Sequence, residues 1–234
     1  MKYLDISIER LKLLKEQEPI LKTVAKEMAE VIKNEKTIYF FGTGHSHMIA
    51  EEVYVRAGAF APFQAILMPE LMLHESANKS TDLERLVGYG KIVFDQVGFK
   101  EGDMLFVISN SGRNAVPLEL VTLAKDRGVK TVSITSFKHS SQVSPRFQDK
   151  RLMELTDYSI DNLTDLGDAS LEIVDGLMMG PLSTITGSAI VNILQIEMVN
   201  LLLEDGMDPE VFLSSNVEDT EINDMYFKKY HGAK

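Results

Sequence analysis

Residues 37–47 read Thr-Ile-Tyr-Phe-Phe-Gly-Thr-Gly-His-Ser-His. Thr37 to Phe41 is a short apolar run rich in strand formers, and it stops at Gly42-Thr43-Gly44. From about residue 46 to 57 the pattern is helical. A strand that passes through glycines into a helix permits a tight turn and a close backbone approach to a ligand. The helix start adds unpaired N–H groups and a positive dipole end, and both favour a phosphate or carboxylate. Ser46 adds a hydroxyl.

The same arrangement recurs outward from this junction. Apolar runs at 63–68, 104–108, 131–135 and 155–160 predict further strands, with helices over about 81–96 and 114–127 between them. Continuous apolar strands alternating with amphipathic helices indicate an α/β protein with a parallel sheet covered on both faces. A long apolar helix is predicted from Thr184 to Leu203, after Gly180-Pro181. Residues 1–34 read as a helical arm that buries its apolar stripe on the domain or on a partner. Asp5 is the expected cap, and Pro19 marks a second helix start. The partition is thus 1–34 as arm and 35–234 as one domain with a polar tail.

The chain has 234 residues, 44% of them hydrophobic, and a net charge of −11 from 24 Lys plus Arg and 35 Asp plus Glu. That balance excludes broad nucleic-acid or anionic-membrane binding, which depend on excess cations. An anion, if bound, must be attracted by local geometry. No cysteine is present, so disulfides, thiolate metal sites and thiol nucleophiles are excluded. No signal-peptide core and no run of about 18 apolar residues is apparent, so the expectation is a cytoplasmic protein with no membrane span.

A second junction, Ile108-Ser109-Asn110-Ser111-Gly112-Arg113-Asn114, concentrates small polar groups where the third strand meets a helix. One of them serves as a cap; a phosphate with three acceptor oxygens would use the rest. Arg113 is placed to pair with the ligand or with a neighbouring carboxylate. The next strand ends in Thr135-Ser136, so successive strands deliver Gly, Ser and Thr to one rim. A dinucleotide fingerprint is the rival. It needs glycine where His47 stands, although Glu70 imitates the ribose-binding acid.

Gly42-x-Gly44-x-Ser46 with Ser109-x-Ser111-Gly112, each closing a strand, and Thr135 on the next, resembles the sugar isomerase (SIS) domain over roughly residues 30–205. Gly42 to Glu52 (GTGHSHMIAEE) and Pro69 to Glu75 are similar to a phosphoheptose-isomerase-like bacterial SIS group. The resemblance implies a flavodoxin-like sheet of five parallel strands and a phosphorylated sugar as ligand. It implies phosphate contacts from Ser46, Ser109, Ser111 and Asn114, the last replacing a common Thr. It also implies dimers or larger homo-oligomers. Gly44, His45, Asn110, Thr135, Ser136, Asp168, Ser183 and Thr184 complete the expected phosphate and sugar lining, with Ser183 or Thr184 also a candidate helix cap.

Isomerisation moves a proton between adjacent carbons and needs an acid and a base. Glu52, Glu70, His74 and Glu75 are the candidates; the alternative for Glu52 is an i,i+4 ion pair with Arg56. No cofactor is expected. His47 and Glu51 have metal-ligand spacing, but the helical His-x-x-x-Glu pair of phosphoheptose isomerases does not align here without a gap, Arg56 standing at the ungapped place of its Glu. His139 is placed to cap a helix or touch the sugar, and His231 to reach a partner's site. The leading function is a sugar-phosphate (aldose–ketose) isomerase. The alternatives are a non-catalytic phosphosugar sensor and a sugar-phosphate lyase (etherase).

Overall fold

The computed structural model describes residues 1–216 and 221–232. Its centre is a five-stranded parallel sheet of β1 (Ile38–Gly42), β2 (Gln64–Ile66), β3 (Met104–Ile108), β4 (Lys130–Thr135) and β5 (Tyr158–Asp161), in the order β2-β1-β3-β4-β5. This is the flavodoxin-like order, whose strand sequence reverses between β1 and β3.

Side-chain alternation explains why both faces are apolar. Ile38, Phe40, Met104, Phe106 and Ile108 point to one face. There they meet α2 (Glu18–Lys33), α3 (His47–Glu52) and α9 (Ser183–Glu204). Phe41, Leu105 and Val107 point to the other, against α5 (Tyr89–Val97), α6 (Ala115–Asp126) and α8 (Leu152–Leu155). Phe40 and Phe106 are register partners, and their rings stack 4.7 Å apart.

The N-terminal segment forms α1 (Lys2–Leu13) and α2, with Pro19 in the first turn of α2 as expected. Helix α1 begins before Asp5, which therefore lies in its first turn rather than at its cap. Val24, Ala25 and Met28 of α2 are fully buried in the main core.

Two elements differ from the sequence reading. The helix expected over 81–96 is two helices, α4 (Ala77–Leu83) and α5, broken at Gly88. The Glu119 carboxylate accepts the N–H groups of Gly88 and Gly90, so a residue of α6 caps the start of α5. Residues 169–181 form an antiparallel hairpin, β6 (Ala169–Val174) and β7 (Leu177–Pro181), turning at Asp175-Gly176. Met178 and Met179 lie exposed on it. Helix α9 matches the long apolar helix expected over Thr184 to Leu203, and by length and composition alone it could cross a membrane. Here Ile190, Val191, Leu194 and Met198 are buried beneath the sheet. The short α7 (Phe137–Gln142) and the C-terminal α10 (Glu221–Tyr230) complete the chain.

Candidate functional site

Gly42 is paired with Ile108 at the carboxyl ends of β1 and β3. The loops that leave these residues therefore diverge from adjacent points at the switch of strand order, where open α/β sheets hold their ligands. At Gly42 a Cβ would lie 2.5 Å from the Ser46 carbonyl carbon, so only glycine lets the chain fold back this tightly. Gly112 sits at φ +57°, with Thr135 Oγ1 3.1 Å from where a Cβ would project.

The first loop leaves donors free. Ser46 N–H donates to the Thr43 carbonyl, but the N–H groups of Gly44 and His45 and the Ser46 hydroxyl have no partner among the described residues. In the second loop the Ser111 hydroxyl and the N–H groups of Ser111, Arg113 and Asn114 are likewise without a partner among the described residues. Ser109 is used locally: its hydroxyl oxygen accepts the Gly112 N–H at 3.2 Å.

The remaining residues expected to line the sugar are largely engaged within the protein. Thr135 and Ser136 are fully buried. Thr135 donates to the Asn110 carbonyl at 3.2 Å. Ser136 donates to the Thr164 carbonyl and accepts the His139 N–H, so Ser136, not His139, caps α7. Asn110 Oδ1 accepts from Asn162 at 2.7 Å and from Thr164 at 2.8 Å. Asp168 accepts the N–H groups of Leu182 and Ser183 and the Ser183 hydroxyl, so it caps α9 from a distant loop. Thr184 is half-buried in the first turn of α9. Asn114 stands at the N-cap of α6, and its Oδ1 accepts from Arg146 at 3.1 Å.

The carboxylates and histidines separate into distinct environments. Glu52 pairs with Arg56 and accepts from Asn192 of α9 at 2.9 Å. Glu70 accepts from the Tyr89 hydroxyl, which holds its carboxyl below the ordinary value; burial and Glu70 together raise the Tyr89 phenol. That contact occupies the acid which would have imitated a ribose ligand. Glu75 is exposed in an i,i+4 pair with Lys79. His74 is exposed in the loop that covers the first junction, its neighbour Leu73 touching the space beside Gly44. Its ring lies edge-on to that of His47, 6.3 Å between centres. His47 is buried, bonds through Nδ1 to the Gly44 carbonyl and directs Nε2 to Glu51 at 3.7 Å. Among the described residues no three His, Asp or Glu side chains are grouped to hold a metal ion. A cavity of about 1000 Å³ runs along the outer edge of β2 past Tyr39, Gln64 and Tyr230, and none of the site residues lines it.

The chain's similarity to known proteins agrees with this geometry. The SIS domain family matches residues 2–136. The chain belongs to the SIS-domain family. A UPF0309 protein of Halalkalibacterium halodurans is 42% identical to this SIS-domain chain over 217 residues, 92% of the chain and 90% of the relative. Another, from Geobacillus thermodenitrificans, is 40% identical over 226 residues, 95% of the chain and 91% of the relative. In three dimensions the SIS fold is shared with a phosphoheptose isomerase from Francisella tularensis. The TM-score is 0.54 at 19% identity, over 84% of this chain and 94% of that one.

Sequence reasoning missed Arg85, Glu84 and Arg146, which flank the second loop from separate parts of the chain. Thr43 donates to Glu84 at 2.8 Å, and Val116 N–H donates to the Glu84 carbonyl. No local signal in the sequence connects these residues.

Proposed function

We propose that this SIS-domain protein binds a phosphorylated sugar in the crevice between the β1 and β3 loops and interconverts its aldose and ketose forms. The observation that supports the binding reading is the set of unpartnered donors there. Ser46 and Ser111 offer hydroxyls, and Gly44, His45, Ser111, Arg113 and Asn114 offer N–H groups. They converge on one rim and match the acceptor oxygens of a phosphate.

For the proton transfer, His74 is the favoured group. It is exposed in the loop over Gly44 and is not ion-paired among the described residues. An imidazole carries one nitrogen that can donate a proton and one that can accept it. Glu75 lies beside it but is engaged with Lys79. Glu70, held ionised by Tyr89, is suited to orienting the loop. Glu52 is suited to joining α3 to α9. The phosphoheptose isomerase that shares the fold supports the same class of reaction. A sensor with no turnover would use the same phosphate contacts, and an etherase would differ in its carboxylates.

A second copy is the proposed partner. Leu4, Ile8 and Leu11 of α1 and Ile173, Leu177 and Met179 of the hairpin are exposed, and Tyr3 of α1 donates to the Pro181 carbonyl, so the two surfaces adjoin. The deciding assay follows isotope exchange at the carbon next to the carbonyl across a panel of sugar phosphates. Exchange that disappears in His74→Gln supports the isomerase. Binding without exchange for every sugar points to the sensor.

A further inference from the structure

Arg113 and Arg146 meet at Asn114, Arg85 lies near enough for its charge to act on Arg146, and none of the three is in an ion pair among the described residues. In a chain with net charge −11 such a group is unusual. Their grouping is fixed by backbone contacts. Arg146 N–H donates to the Arg113 carbonyl at 3.2 Å, and Arg146 Nη1 donates to Asn114 Oδ1 at 3.1 Å. Arg85 follows Glu84, whose carbonyl accepts Val116 N–H in the first turn of α6. Arg113 is half-buried, while Arg85 and Arg146 are exposed and open to a ligand from solvent. Burial, with the charges of Arg113 and Arg85, holds the Arg146 guanidinium below its ordinary value, and Glu84 opposes this. Glu84 offsets one of the three charges, and an anion between the guanidinium groups would relieve the repulsion that remains.

Helix α6 cannot supply the missing attraction by itself. Val116 N–H is already bonded to Glu84, and Pro117 carries no N–H. The amides and hydroxyls of the two loops suffice for one phosphate. Guanidinium forks are suited to a further carboxylate or phosphate, which they grip with paired N–H bonds.

From this juxtaposition we propose that Arg85, Arg113 and Arg146 form a second anion site beside the phosphate cradle, so that the ligand is a phosphosugar with a second acidic group. The three cations less the nearby Glu84 leave a charge that complements a doubly negative group. The proposal rests on the phosphosugar reading for the first anion only. It adds a determinant of specificity: sugars with one phosphate fill the cradle and leave the arginines unpaired.

Calorimetric titration with fructose 6-phosphate, fructose 1,6-bisphosphate, 6-phosphogluconate and pyrophosphate tests it. The wild type is compared with Arg113→Gln/Arg146→Gln and with Arg113→Lys/Arg146→Lys, all checked for an unchanged melting transition. The wild type is expected to bind the bisphosphate or the phosphogluconate at least 10-fold more tightly than the monophosphate, with a steeper salt dependence. The Gln pair abolishes that preference, and the Lys pair restores it in part. Equal loss for all the sugars would place the arginines on the first phosphate and overturn the proposal, as would a wild type with no preference. If pyrophosphate binds in an arginine-dependent way but no sugar phosphate binds, the second site stands and the sugar reading fails. If nothing binds, both fail.

Discussion

At the scale of residues, the site separates hydroxyls that are free from hydroxyls that are employed. Ser46 and Ser111 have no internal partner among the described residues, while Thr135, Ser136 and Ser183 hold loops and helix ends in place. A hydrogen bond to a charged group contributes about 1.5–3 kcal/mol, so in the proposed site the first two should carry the larger share of phosphate affinity. Thr135→Val should act differently. It removes the bond to the Asn110 carbonyl and should lower the melting temperature, with loss of binding following only as the second loop loosens. Measuring the melting transition beside the affinity separates the two effects. For turnover, His74→Gln should lower the rate at least 10-fold with little change in affinity, whereas Glu75→Gln should change it less, because Glu75 is held by Lys79 at the surface. Steady-state kinetics that rank these two variants in the opposite order would move the acid–base role to Glu75.

The serine motifs and their place at strand ends were legible in the sequence, because strand formers and glycines signal locally. The occupation of Asn110 and Asp168 was not. Asn110 is held by Asn162 and Thr164, and Asp168 caps a helix that begins many residues later. Such partners are brought together only by the packed sheet. The arginine group escaped notice for the same reason.

At the scale of elements, continuous apolar runs announced the five strands, with boundaries shifted by a few residues. The break at Gly88 was hidden because it depends on Glu119 of a different helix. The Asp175-Gly176 turn was available as a hairpin signal but lay in a stretch to which the sequence reading assigned no element. The turn at Gly42 gives a direct test of element geometry. Gly42→Ala should destabilise the protein by about 1–3 kcal/mol, since a methyl group there meets the Ser46 backbone; chemical denaturation measures it, and a neutral result would mean that the β1–α3 turn is looser than described. The C-terminal helix α10 should respond to pH. His231 packs among Tyr54, Phe212, Phe227 and Tyr230, bonds to the Ala61 carbonyl through Nε2 at 3.0 Å, and has a buried Nδ1 without a partner. This places the histidine in its own chain's aromatic cluster. Burial lowers its folded pKa below the ordinary 6.5. The unfolded chain therefore takes up the proton first, so its contribution to stability is complete above about pH 6.5 and is lost as pH falls toward the folded value. His231→Phe cannot titrate, and its melting temperature should fall less than that of the wild type between pH 7.5 and 5. Parallel curves for the two proteins would remove His231 as the sensor.

At the scale of the whole molecule, a net charge of −11 coexists with a crevice of unpartnered N–H groups and hydroxyls, the proposed seat of an anion. Composition argues against extended polyanions, which need a broad cationic surface. It does not bear on a single phosphate, which N–H groups and hydroxyls can attract over a few ångströms without a net basic surface. The exposed apolar side chains of α1 and the β6–β7 hairpin predict a dimer in light scattering. Leu4→Glu/Met179→Glu should shift it to monomer without altering the fold, and an unchanged mass would place the contact elsewhere.

The most direct measurement is calorimetric titration of a sugar 6-phosphate into the wild-type protein and into Ser46→Ala/Ser111→Ala, in the same buffer. Binding by the wild type that weakens by on the order of 100-fold in the double variant, with unchanged melting behaviour, is the expected result. Equal affinity in the two proteins, or a phosphosugar affinity that follows residues away from the β1 and β3 loops, would contradict the assignment of the phosphate to this crevice.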